Sequence, residues 1–160
     1  MEPPTWVVVG IDPGKTGGFA MLFPDREAEV WRVDTGSSDL LDLLETAKGM
    51  SPRLIVAVER VHGRGGWSAT ANFSLGGSAS VPSAGCEFFG GQFVDIAPIT
   101  WHREAWGESQ ERMTYDERKR KSQRKAEERW GYPHLQSGQA DALWIAMAAC
   151  KRLGLTPHKW

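Results

Sequence analysis

Three carboxylates lie where the sequence pattern brings the chain out of the hydrophobic interior. Asp12 follows an apolar run at 6–11, Glu59 follows another at 54–58, and Asp141 lies early in an apolar segment with helical spacing. An acid directly after a run of Val and Ile must either meet a partner or reach a cleft. Carboxylate oxygens are the ligands that Mg²⁺ prefers, and two such ions about 4 Å apart can promote phosphodiester hydrolysis. If the three acids meet at one edge of a sheet, that is the chemistry they predict.

Each acid also has a purely structural interpretation. Asp12 could form a tight turn between two hairpin strands. Glu59 could pair with Arg60 or Arg53, and Asp141 could interact favourably with a helix dipole from the first turn. The combination of two strand ends and one helix start favours a shared site over three separate roles.

The glycine-rich segment around Asp12 resembles two phosphate-binding motifs, and both fail. A P-loop needs four residues between its glycines, whereas three separate Gly10 from Gly14. The pattern Asp12-x-Gly14-x-Thr16 resembles that of actin-like sugar kinases and chaperone ATPases, which close two related domains around a nucleotide. This chain has the length of one domain. We interpret the glycines as keeping side chains away from whatever approaches Asp12.

The elements that must position these acids alternate in type along the chain. Three short apolar segments open the chain and predict an antiparallel meander, and later strands alternate with helices, which predicts a mixed α/β sheet in one domain over 1–160. The predicted strands are 6–11, 17–23, 28–33, 54–58 and 93–96. The predicted helices run from Ser37 or Ser38 to about Gly49 and over 68–85, 101–106, 115–130 and about 139–153.

Composition places the chain among ordinary globular proteins and identifies no partner. The net charge is −1, with 41% hydrophobic and 24% charged residues. Cys86 and Cys150 lie far apart outside any metal-binding spacing, which predicts buried free thiols. The N-terminus has no signal-peptide pattern, and no run is long enough to span a membrane, so we expect a cytoplasmic protein.

A local basic cluster at 118–125, RKRKSQRK, is the strongest signal for a nucleic-acid partner. Lys119, Lys121 and Arg124 are the leading candidates for contacts to a phosphate backbone, whose counterions such a cluster would release. The alternative is a solvated helix face whose charge is balanced by neighbouring acids. Those acids are Asp116, Glu117, Glu127 and Glu128.

Four motifs in order resemble the RuvC-type Holliday-junction resolvases, particularly compact phage members of that family. They are GIDPG at 10–14, VERV at 58–61, IAPITW at 96–101 and ADALWIA at 140–146. The resemblance implies an RNase H-like mixed five-stranded sheet with an antiparallel first three strands and helices on both faces. It also implies nicking of branched DNA to leave 5′-phosphates, in a bacterial cell or phage-infected host. Asp12, Glu59 and Asp141 would hold Mg²⁺, with Mn²⁺ as a substitute, as two ions per site.

The sequence departs from that family at the fourth metal ligand, an acid or histidine shortly before the last aspartate. Gln136, Ser137 and Gly138 occupy this stretch, and His134 is a distant substitute. In the loop after Glu59, the resemblance implies that Arg64 and Trp67 approach the branch point, where Trp67 could stack on unpaired bases. The alternative for Trp67 is a buried anchor that fixes the loop.

Two other functions fit the same residues. One is an RNA-processing nuclease of the same fold, and the other is a non-catalytic module that binds structured DNA. Cutting two opposing strands of a junction needs two active sites, so we expect a homodimer, at least on DNA. The small-residue segment at 68–85 carries no long apolar stripe that would indicate a stable interface.

Overall fold

The computed structural model describes residues 2–60, 68–107 and 113–158. Its strands form one five-stranded sheet in the order β3-β2-β1-β4-β5. The strands are β1 (Val7–Asp12), β2 (Gly17–Leu22), β3 (Glu29–Val33), β4 (Leu54–Glu59) and β5 (Gln92–Ile96). The helices are α1 (Ser38–Met50), α2 (Ala69–Phe88), α3 (Pro98–Trp106), α4 (Tyr115–Trp130) and α5 (Ser137–Leu153).

The sheet combines the predicted antiparallel meander with two parallel strands. β1 pairs with β2 and β2 with β3 in antiparallel register, while β1–β4 and β4–β5 are parallel. Gly10 lies opposite Ala57 in the β1–β4 pair. Two residues further along, Asp12 and Glu59 therefore end neighbouring strands at the same edge and on the same face of the sheet.

Helices cover both faces of this sheet, as predicted. Alternate residues of the strands enter two separate clusters: Val8 and Ile55 pack in the cluster with α3, α4 and α5, whereas Val7 and Val56 pack in the cluster with α1 and α2. Strand alternation assigns Asp12 and Glu59 to the face that carries α5. Asp141 lies on that helix, so all three predicted acids belong to one layer of the fold.

The backbone of α5 lies directly against β1 and β2, and glycines make this approach possible. A Cβ atom at Gly10 would lie 2.0 Å from the carbonyl oxygen of Ala142, and one at Gly18 would lie 2.0 Å from that of Gly138. Our interpretation that these glycines clear space for an incoming ligand is therefore wrong for Gly10 and Gly18. They are required because a helix backbone occupies the space that their side chains would take.

Several predicted boundaries shift, and one shift matters for the site. α3 begins at Pro98 rather than Trp101, since proline is favoured in the first helical turn. α5 begins at Ser137 rather than Gln139, which moves Asp141 into the second turn. The dipole effect falls off within the first turn, so it gives little support to a purely structural role for Asp141.

Two further predictions concern the interior and the membrane. Cys86 and Cys150 are both buried free thiols, as expected. Within the ranges given above, none of the helices combines the length and apolar character needed to cross a bilayer.

The close packing of α5 predicts a strong effect of one methyl group. Gly18→Ala should destabilise the protein by about 1–3 kcal/mol or more, because overpacking forces the helix away from the sheet. Urea unfolding would measure the change. Gly49→Ala is the matched control, because a Cβ atom at this position meets open space. This substitution should not destabilise the protein, since alanine is more favourable than glycine within a helix. A Gly18→Ala protein as stable as wild type would contradict the packing argument.

Candidate active site

Asp141 is the most firmly held of the three acids. Its residue is buried, with 7% of its surface exposed. Ser122 of α4 donates its hydroxyl hydrogen to Oδ1, and the Lys119 ammonium lies 3.3 Å from Oδ2. Trp144 of α5 donates its indole N–H to the backbone oxygen of Ser122, which fixes the two helices to each other. Both oxygens of Asp141 therefore contact α4.

Glu59 is oriented by an indole from α3. Trp101, which is 1% exposed, donates its Nε1 hydrogen to Glu59 Oε2 over 2.9 Å. Arg60 instead lies with its Nε 2.7 Å from Asp95 Oδ2 on β5. Trp101 was predicted to be a core residue, which its burial confirms, but its hydrogen bond also connects the core to the site.

Electrostatics show that the three acids and Lys119 share one environment. Burial raises the pKa of Asp12 well above its ordinary value, and the neighbouring charges of Asp141 and Glu59 raise it further, while Lys119 opposes the rise. Burial also raises the pKa of Asp141, against the effects of Lys119 and Ser122. Burial alone would lower the pKa of Lys119, but Asp141 and Asp12 raise it overall.

The donor set fits a hard divalent cation. The carboxylates come from three elements that meet on one face, and their mutual repulsion is a cost that a bound cation would relieve. In the parts of the chain that the structure describes, no three His, Cys, Asp or Glu side chains already form a metal-holding group. Asp12, Glu59 and Asp141 are the residues that would hold an ion, with Lys119 now beside Asp141.

Gly138, one of the three residues in the stretch where the resemblance implies a fourth ligand, has no room for a side chain. Gly138 lies three residues before Asp141, one helical turn away, and a Cβ there would lie 2.6 Å from the carbonyl oxygen of Thr16. Gln136 starts the helix, and its backbone N–H donates to Gln139 Oε1. Gly138 and Gln136 thus serve to seat α5 on the sheet, and an acid at 138 would push the helix away.

The predicted DNA contacts divide into two faces of α4. Lys119 lies on the same side of α4 as Ser122 and contacts Asp141. The Nζ atom of Lys121 lies 5.6 Å from the Trp106 ring centroid. Arg124 is exposed, with its Nε atom 4.0 Å from Glu128 Oε1. A cavity on the outer face is lined by Met113, Glu117, Arg120, Lys121 and Arg124. Arg64 and Trp67 lie outside the described residues.

Sequence reasoning missed Ser122 and the second role of Lys119. A signal was present, because positions 119 and 122 are one helical turn apart and Ser122 interrupts a run of bases on the same face as Ala126 and Trp130. The long-range contact of that face with Asp141 could not be read from the spacing.

Three solved structures share the fold of this chain over nearly its whole length. RuvC of Thermus thermophilus has a TM-score of 0.59 and 20% identity, covering 94% of this chain and 99% of that chain. The same organism's RuvC in complex with a Holliday junction substrate has a TM-score of 0.58 and 16% identity, covering 95% and 99%. The yeast mitochondrial Holliday junction resolvase has a TM-score of 0.51 and 13% identity, covering 94% and 80%.

The chain has the RuvC-type resolvase fold. This confirms the predicted RNase H-like sheet with helices on both faces. No family model and no curated protein sequence matches the chain.

The charge cluster around Asp12 predicts that ionised Asp12 lowers the free energy of unfolding when no metal is bound. The pKa of Asp12 is higher in the folded state than in the unfolded state. The contribution of Asp12 to the free energy of unfolding is therefore fully present at low pH and is lost as pH rises through the folded-state pKa. In EDTA at neutral pH, Asp12→Asn should therefore raise Tm, by roughly 2–4 °C for each kcal/mol gained. Differential scanning calorimetry would measure it.

The stabilisation should shrink at acidic pH, where Asp12 is already protonated. Asp39→Asn is the control, because this exposed acid in the first turn of α1 should give no increase in Tm. A lower Tm for Asp12→Asn in EDTA would contradict the prediction, because it would show that Asp12 stabilises the metal-free folded protein.

The Trp101 hydrogen bond predicts a defect in metal affinity. Trp101→Phe keeps a large aromatic ring and removes the N–H that orients Glu59, so Mn²⁺ affinity should fall roughly 10–100-fold, the usual cost of losing an outer-shell partner. Titration followed by electron paramagnetic resonance would measure it. Trp106→Phe is the matched control, because the buried Trp106 Nε1 has no hydrogen-bond partner in the described structure. Equal losses in both variants would assign the effect to packing.

Proposed function

We propose that this chain is a divalent-metal-dependent endonuclease that nicks branched DNA, namely Holliday junctions and forks, and leaves 5′-phosphates. The carrying observation is the convergence of Asp12, Glu59 and Asp141 on one face, where Asp141 and Glu59 both raise the pKa of Asp12. The fold supports the same proposal, since one neighbour is a RuvC in complex with a Holliday junction substrate. Residues 1–160 would act as one nuclease domain in the cytoplasm.

The three carboxylates would hold Mg²⁺, or Mn²⁺ in its place, as two ions per site. When bound, such ions lower the pKa of an attacking water and stabilise the leaving oxygen of a phosphodiester. The chain's own contribution is positioning: Trp101 orients Glu59, and Ser122 orients Asp141. Both acids are thereby held toward Asp12 by residues of the layer that also contains α5.

The outer face of α4 would hold the DNA backbone. Arg120, Lys121 and Arg124 line one cavity beside Glu117, and phosphates are the partners that such a cluster favours. We propose that Arg64 and Trp67, which follow β4 in the sequence, contact the branch point. A two-fold dimer on DNA would supply the second active site needed to cut opposing strands.

A non-catalytic DNA-binding module is the second candidate, and one observation favours it. Gln136, Ser137 and Gly138 occupy the stretch of the family's fourth ligand, and the contact of the Gly138 backbone with Thr16 leaves no room for a side chain at 138. If three carboxylates cannot retain ions, the protein would bind junctions without cutting them.

A cutting assay separates these functions. A labelled four-way junction, a fork, a linear duplex and an RNA junction of matched sequence are incubated with wild type and Asp12→Asn, with and without Mg²⁺ or Mn²⁺. We expect metal-dependent nicks in branched DNA by wild type alone, with ligatable 5′-phosphate ends, because Asp12 is a ligand that asparagine replaces poorly.

The control is gel-shift binding, in which Asp12→Asn should retain junction affinity. Binding by both proteins without cutting would establish the non-catalytic module. Preferential cutting of the RNA junction would assign the site to RNA processing, and cutting that persists in Asp12→Asn would exclude the proposed centre.

A further inference from the structure

The Lys119 ammonium lies beside Asp141, at the carboxylate oxygen that does not accept from Ser122. It lies 3.3 Å from Asp141 Oδ2, and the two side chains are 26% and 10% exposed. Ser122 already uses the other oxygen of Asp141. A divalent ion that coordinates Asp141 through Oδ2 therefore competes with a cation that the protein supplies itself.

Lys119 is held in this position from two sides. On α4 its Nζ lies 5.3 Å from the ring centroid of Tyr115, one helical turn before it. Across the interface its charge interacts with both Asp141 and Asp12. Lys119 thus compensates the negative charge of two proposed ligands. Without Lys119, that negative charge would attract a metal ion more strongly.

The same helix presents its other bases outward. Arg120, Lys121 and Arg124 line the outer cavity and lie within five residues of Lys119 along α4. A phosphate backbone bound on that face would bring negative charge close to the Lys119 ammonium. Such a phosphate offers Lys119 an alternative anionic partner.

We propose that Lys119 is a built-in counter-ion that competes with divalent metal for Asp141 in the DNA-free protein and moves to DNA phosphate when the substrate binds. Metal loading is thereby coupled to the arrival of DNA. This inference rests on the proposed function, because it takes Asp141 as a metal ligand. It differs from a simple phosphate-binding role, since it requires Lys119 to weaken metal binding when DNA is absent.

The test measures Mn²⁺ binding to the DNA-free protein by electron paramagnetic resonance at fixed pH and ionic strength. Lys119→Met keeps the aliphatic length and removes the charge, so Mn²⁺ affinity should rise on the order of tenfold, as expected for a partly exposed ion pair. Lys119→Arg should retain an affinity close to wild type. Lys48→Met on α1, which removes a charge beside Pro52 on the opposite face, should leave the affinity unchanged.

A double-mutant cycle locates the competition at Asp141. In an Asp141→Asn background, Lys119→Met should raise Mn²⁺ affinity less than it does in the wild-type background, because one of the two carboxylates that interact with Lys119 is gone. Unchanged or weaker Mn²⁺ binding by Lys119→Met, including no detectable binding by either protein, would overturn the proposal. An equal gain in Mn²⁺ affinity for Lys48→Met would also overturn the proposal, because the gain would then follow from the net charge of the protein and not from the position of Lys119.

A second arm tests the coupling to DNA with Ca²⁺ as the probe ion and a four-way junction, followed by calorimetry. The junction should increase Ca²⁺ affinity more in wild type than in Lys119→Met, because Asp141 in this variant has no ion pair with residue 119. Equal increases would overturn the coupling. These outcomes are independent of nicking, so failure of the endonuclease proposal in the cutting assay remains distinguishable from failure of the counter-ion proposal.

Discussion

The contact between the backbone of α5 and the first two strands is the constraint on which the rest of the structure depends. Gly10 and Gly18 allow the helix to lie where ordinary side chains would be, and Gly138 completes the contact from the helix side. This approach brings Asp141 to the face on which Asp12 and Glu59 end their strands. It also excludes a fourth acid at position 138. One packing requirement therefore brings the three carboxylates to one face of the sheet.

The resulting cluster is electrostatically costly, and neighbouring residues reduce that cost. Burial and mutual repulsion raise the pKa of Asp12, while Lys119 and Ser122 stabilise the charge on Asp141. Buried charges persist in proteins when they are paired or hydrogen-bonded, and here the partners come from α4. Helix α4 thus has two chemically different faces: the inner face supports the carboxylates, and the outer face carries bases that suit a phosphate backbone.

The comparison with solved structures shows how much of this arrangement survives sequence divergence. At 20% identity or below, the fold still matches that of RuvC over almost the whole chain. In this chain, Asp12 and Glu59 end β1 and β4, and Asp141 lies near the start of α5. The chemistry at those positions depends on this chain's own side chains, including Lys119 and Trp101.

The sequence by itself determined the five strands and the class of fold, and it singled out the three acids as candidates. Period-two and apolar runs fix where β1 and β4 end, and this information is local. Only the tertiary structure decided the partners: Trp101 for Glu59, Lys119 and Ser122 for Asp141, and α5 rather than a ligand against Gly10 and Gly18. These contacts join residues distant in the chain, and their geometry follows from how helices pack on the sheet. The local sequence around Ser122 does not indicate that its hydroxyl contacts Asp141, because this contact depends on how α4 packs against α5.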